Sequence, residues 1–153
     1  LNLLFLTDLL TKKRNMKTEK IKKKYLHYGL DKEDVYKHAH YLIITRSGID
    51  KIQAMENITI DYEVINCERD FCVVKANASM SKHLLDNSQD RMVKIQTFGS
   101  ALKGKSYADG NCTNFYVMEM AEKRAMSRAV LKLTGFYELG VFGEDESEDF
   151  KKK

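Results

Sequence analysis

Two sets of residues have the types and spacing to handle phosphate. The segment GSALKGKS, Gly99–Ser106, satisfies G-x-x-x-x-G-K-[ST] at every position, the pattern of a loop whose backbone amides and lysine cradle a nucleotide. Further along, Arg124, Arg128 and Lys132 stand four residues apart. On a helix this spacing aligns them along one face, with Lys123 at its edge. Lys94, Lys103 and Lys105 come before them, so Lys94–Lys132 holds seven basic residues against three acidic ones. A groove lined by such cations suits a polynucleotide backbone, because each neutralised phosphate releases counterions. Phe98 and Tyr107 lie near the same loop and offer rings for base stacking, worth about 1–3 kcal/mol per base. The same cation spacing also describes an ordinary wet helix face, partly paired with Glu119 and Glu122.

The nucleotide reading makes demands on the surrounding elements. A phosphate cradle joins a buried parallel strand to a helix that begins at the Lys-Ser pair. The preceding RMVKIQTF reads as a strand, but SYADGNCTN contains Asp-Gly and Gly-Asn, which form turns. No apolar strand ends in an acidic residue placed for Mg²⁺, and alternating strand–helix units are lacking. Lys103 and Lys105 are therefore expected on an exposed hairpin-like loop, with a P-loop-like nucleotide-binding enzyme using Gly99–Ser106 as the alternative.

Other chemistry has less to stand on. Cys67 and Cys72 form C-x₄-C, Cys112 is distant, and the four histidines include His38 and His40 two apart. Zinc sites usually show tighter pairs, no Ser/His/Asp set stands out, and no cofactor is expected. Three unevenly spaced cysteines argue against a disulfide framework and favour a reducing, cytoplasmic setting.

The net charge is +4, distributed unevenly. Leu1–Lys24 carries eight basic and two acidic residues, Glu144–Lys153 three and five, and the body Tyr25–Gly143 fifteen of each. Overall basicity thus says nothing about nucleic acid, and local clustering must carry the argument. LNLLFLTDLL is interrupted by Thr7 and Asp8 and is too short to span a bilayer. An amphipathic anchor on anionic lipid is the alternative for it. Met16 opens MKTEKIKKKYLHYGL, so residues 1–15 are expected to lie upstream of the true start.

The elements that would position these residues belong to one domain. Lys17–Tyr28 reads as a short helix stopped by Gly29. LDKEDVYKHAH reads as a short helix or loop, YLIIT as a strand, and TRSGIDKIQAMEN as a short helix capped by Ser47. ITIDYEVINCE alternates with period two, putting Ile58, Ile60, Tyr62 and Val64 on one half-buried face. It pairs through the turn ERD with FCVVKANASM, and RMVKIQTFGSA is the third strand. FYVMEMAEKRAMSRAVLKLTG is the longest periodic segment, capped by Asn114 and stopped by Gly135, with Met118, Ala121, Ala125, Ala129 and Leu133 as a narrow apolar stripe. The fold class is α+β: an antiparallel β-meander of about three to four strands packed against a long C-terminal helix, with short N-terminal helices.

The segment GSALKGKSYADGNCTNFYVMEMAEKRAMSRAVLKLTGFYELG, with EMAEKRAMSRAVLK as helix core and GFYELG as ending, resembles the Rad-fifty-two-like single-strand annealing recombinases of eukaryotes and phages. Upstream, ITRSGIDKIQ and the hairpin ITIDYEV–FCVVKA are similar to the start of the phage versions. The resemblance spans Tyr41 to Gly140. It implies a homo-oligomeric ring or filament that lays single-stranded DNA in an outer basic groove and anneals complements without ATP. It makes a phage nuclease or single-strand binding protein a possible partner and implies no membrane. By position it maps the groove cations onto Arg128 and Lys132, then onto Arg124, Lys103 and Lys105. Gly99 then permits a close strand crossing, Gly104 a turn, and Lys105 meets DNA phosphate.

Overall fold

The protein's structure, a computed structural model, describes residues 3–83, 90–106 and 108–146. The first helix, α1 (Leu3–His27), is one continuous rod of 25 residues. It runs through the segment that reads as an upstream extension, because Leu, Lys, Met and Glu are strong helix formers and no glycine intervenes before Gly29. Gly29 ends the rod in the left-handed region, φ +61°. Residues 7–20 are exposed all round, and the helix docks only through its last turns. There Ile21 and Tyr28 are buried, and the rings of Tyr25 and Tyr28 pack 6.0 and 5.7 Å from Phe136.

Two three-stranded sheets follow among the described residues. The polar stretch expected as helix or loop instead yields β1 (Val35–His38), which pairs antiparallel with β2 (Tyr41–Ile44). The connecting turn puts Ala39 at φ +51°. Directly after the ending GFYELG comes β6 (Val141–Gly143), parallel to β2 and not expected from the sequence. The other sheet is the expected meander: β3 (Thr59–Cys67), β4 (Phe71–Lys82) and β5 (Arg91–Leu102), all antiparallel. The strand expected at YLIIT is present as β2, but a single meander was too simple, since β1 and β6 carry too few residues to show a period of their own.

Between the sheets lies α3 (Val117–Leu133), 17 residues long and so shorter than α1. Its buried side chains cover far more than the expected alanine stripe: Ala121, Ala125 and Ala129 face the meander, while Met126, Val130 and Leu131 join Ile44, Ile49, Ile52 and Phe136 in the main core. Met118, by contrast, is exposed. A helix covered from two sides hides residues that an amphipathic reading leaves wet. Gly99 lets it approach: a Cβ there would lie 2.5 Å from the backbone nitrogen of Ala125 and would overlap the carbonyl of Ala121. The close crossing expected of Gly99 is present.

Local signals shift by a residue or two. α2 (Arg46–Glu56) is capped by Thr45, not Ser47; the Ser47 hydroxyl donates to Asp34 Oδ1 at 2.6 Å instead. Asn114 accepts the Tyr116 amide at 3.0 Å in a turn before α3, whose N-cap is Tyr116. On β3 the alternation holds in register but not in burial. Tyr62 and Val64 stay 41 % and 50 % exposed, because β3 is an edge strand and α3 crosses nearer β5.

Candidate nucleic-acid interface

The stripe on α3 does not form a trench. Arg124 is 3 % exposed. Its Nη1 donates to Ser100 O (2.9 Å), Nη2 to Asn111 O (2.6 Å) and Nε to Asp145 O (3.0 Å). Arg128 is paired through Nε with Glu146 Oε1, and its Nη1 donates to Phe98 O at 2.9 Å. Both arginines thus serve the outer edge of β5. The assignment of Arg124 to DNA is corrected, and Arg128 is largely engaged by the protein itself. The reason is spacing: four helical residues rise about 6 Å, close to the about 6.7 Å between alternate carbonyls of a strand. Edge carbonyls without a strand partner need donors.

Lys132 goes elsewhere. It is exposed, with Nζ 5.1 Å from the Tyr137 ring centre. It lines a cleft of about 370 Å³ with Lys24, Lys82, His83, Glu56 and Glu138. The Lys24 ammonium donates to the Thr134 carbonyl, at the C-terminal end of α3, where the helix dipole is negative. Burial, reinforced by Lys82, holds Lys24 below the ordinary lysine range despite Glu56 and Glu138.

Seven residues earlier on α1, Lys17 lies on the same helix face as Lys24. Its Nζ lies over Gly140, 3.3 Å from where a Cβ would be. Lys17 belongs to a second cleft, of about 300 Å³, with Arg14, Thr18, Ile21, Lys37, His40, Leu42, Leu139 and Gly140. Four of these nine residues are basic side chains and none is acidic. The two clefts follow one flank of α1, joined along the turn Thr134–Gly140. The sequence signal was the run KKRNMKTEKIKKK; Lys37, His40 and Lys82 carried none, since each is isolated in its own strand or turn.

The remaining predicted cations are scattered. Lys94 is exposed on the open face of the meander, beside Asp61, Asn77, Ser79 and Gln96. Phe98 shares that face, cross-strand from Lys75, which pairs with Glu63 at 2.6 Å. Lys123 is exposed on α3. Lys103 lies with Nζ 4.5 Å from the Phe115 ring centre, and Arg69 approaches the same ring at 4.8 Å. Phe115 is 53 % exposed, so a half-open ring flanked by two cations stands where Tyr107 was expected. Tyr107 itself lies outside the described residues.

The Gly99–Ser106 segment does not make a nucleotide cradle. Gly99 sits within β5, paired with Val74. The loop after Leu102 doubles back: Gly104 N donates to Cys112 O (2.9 Å) and Asp109 N to Ser106 O (3.2 Å). The next helix starts at Val117, so the Lys105–Ser106 pair opens no helix. Lys105 is exposed on that loop, as expected.

Among the described residues no group of three or more His, Cys, Asp or Glu converges to hold a metal. No described helix is long and apolar enough to cross a membrane. No protein-family profile, curated protein sequence or solved structure matches the chain.

Proposed function

We propose that the protein binds single-stranded DNA along the α1 flank and anneals complementary strands without a nucleotide cofactor. The observation that carries this reading is the cleft of Arg14, Lys17, Lys37 and His40, which has no carboxylate among its lining residues. Cations gathered without counter-charges on the protein are unscreened and attract a polyanion. Lys24, Lys82 and Lys132 extend the flank toward the end of α3. The helix-on-meander arrangement and its Gly99 crossing are in keeping with the annealing-protein resemblance.

Assembly into a homo-oligomer belongs to the same proposal. The outer edge of β3 has no partner strand among the described residues. It carries half-exposed Tyr62, Val64 and Ile65, a surface that a second copy would pair with and cover. The test is fluorescence anisotropy with labelled oligonucleotides at low salt, followed by annealing of complementary strands with nucleotide omitted. Binding that favours single strands and weakens steeply with salt is expected. Failure to bind any oligonucleotide at low salt ends the reading, and a monomeric native mass removes the oligomer.

A further inference from the structure

The hairpin joining β3 to β4 holds two of the three cysteines face to face. The Glu68 amide donates to Phe71 O at 2.7 Å across the turn, which makes Glu68–Phe71 a hydrogen-bonded pair. The next pair outward is Cys67 with Cys72, and it is of the non-hydrogen-bonded kind, whose Cα atoms stand about 4.5 Å apart. That separation falls within the range a disulfide can span, about 4.4–6.8 Å. Paired residues point to the same side of a sheet, so the two thiols share one face of the hairpin. The two thiols differ in surroundings: Cys67 is exposed, whereas Cys72 is fully buried against Val74, Ala101, Val117 and Ala121.

We propose that Cys67 and Cys72 are a reversible oxidation site, closed to a disulfide by a small-molecule disulfide such as oxidised glutathione. The exposed Cys67 thiolate attacks one sulfur of the oxidant, forming a mixed disulfide and expelling one glutathione thiolate. Cys72 then attacks the Cys67 sulfur, forming the intramolecular bond and expelling the second. The protein loses two electrons and two protons, and the oxidant leaves as two thiols. Burial first, then the hydrogen bond and charge of Cys67, push the Cys72 thiol up to about 11. This assigns the first attack to Cys67. The third thiol, Cys112, is buried in the same cluster as Cys72 but is hydrogen-bonded elsewhere: its Sγ donates to Asn114 O at 3.2 Å and to its Oδ1 at 3.3 Å.

The experiment treats reduced, folded protein with oxidised glutathione, then unfolds it in denaturant with N-ethylmaleimide to block every remaining thiol, buried ones included, and maps the products by peptide mass spectrometry. Two of the three thiols are expected to escape alkylation, with Cys67 and Cys72 joined and two hydrogens lighter. Dithiothreitol restores both, and Cys112→Ser changes nothing. The exposed-site variant Cys67→Ser is expected to leave Cys72 and Cys112 reduced. The proposal is overturned if all three thiols remain alkylatable. It is equally overturned if a glutathione adduct persists on Cys67 of the native chain, or if closure needs Cys112.

Discussion

The helices α1 and α3 carry basic side chains at similar intervals, yet the fold treats them in opposite ways. On α3, Arg124 and Arg128 are taken up by carbonyls of β5 and by the C-terminal segment, with Glu146 closing on Arg128. On α1, residues 7–20 are exposed, and Arg14 and Lys17 border a cleft whose lining has no carboxylate. A buried cation that donates to three carbonyls is a structural staple, because Asn111 O and Asp145 O would otherwise lose this donor. Arg14 and Lys17 on the protruding rod have no such set of carbonyls around them among the described residues, and under the proposed function they are the cations that meet a ligand. Periodicity identifies a charged face; the partners across the gap decide what it does.

The sharpest way to break this comparison is to disturb the crossing that brings α3 onto β5. Gly99→Ala is expected to cost about 3 kcal/mol or more, or to prevent folding, because the added methyl meets backbone rather than a movable side chain. Urea unfolding measures it, and a loss below about 0.5 kcal/mol would mean the crossing is looser than described.

Arg124→Ala comes next. Removing the guanidinium takes the donor from the carbonyls of Asn111 and Asp145 and leaves Ser100 O with the Asn111 side-chain amide alone, and a loss of about 2–4 kcal/mol is expected. Oligonucleotide affinity of the protein that still folds should be unchanged. A variant of native stability that binds DNA poorly would restore Arg124 to the interface.

On the other helix the pattern reverses. Arg14→Ala, Lys17→Ala and Lys37→Ala combined should change stability by less than about 0.5 kcal/mol per site. They should weaken oligonucleotide binding and flatten the logarithmic salt slope by about 2, at about 0.7 per lost contact with a single strand. Undiminished binding with an unchanged slope would move the DNA path off α1.

The smallest effect concerns Asp34, whose carboxylate joins the first hairpin to α2 through Ser47 and Lys51. Burial alone would raise its pKa, but hydrogen bonds from Lys51, Ser47 and the Asp31 backbone outweigh this and hold it at about 2 rather than 3.8. A depressed folded value contributes stability above about pH 4, and that contribution is lost as pH falls toward 2. A melting temperature several degrees lower at the acid end is expected, with the slope reduced in Asp34→Asn. An identical acid profile for both proteins would remove Asp34 from the account.

Much of the architecture was legible in residues alone. The three meander strands, the Thr45–Asn57 helix and the long periodic helix each have a period, a cap or a glycine that marks them. Short strands such as Val35–His38 and Val141–Gly143 were not, because four or three residues cannot establish an alternation and their pairing is non-local. The candidate site was legible only in part. Of the expected cations Lys132 lies at the flank of α1 and Arg124 is spent on carbonyls, while none of the α1 cations was among the expected DNA contacts. Lys82 and Lys37 sit far from α1 in sequence and reach it only through the fold.

By itself the sequence determined the α+β class and the order of the meander and the helix that packs on it. Those features rest on local backbone preference and apolar period, which act over a few residues. Only the tertiary structure decided which cations are staples and which are free to meet a ligand. A guanidinium spaced for phosphates is spaced almost equally well for the alternate carbonyls of a strand edge, and nothing within the helix itself distinguishes the two.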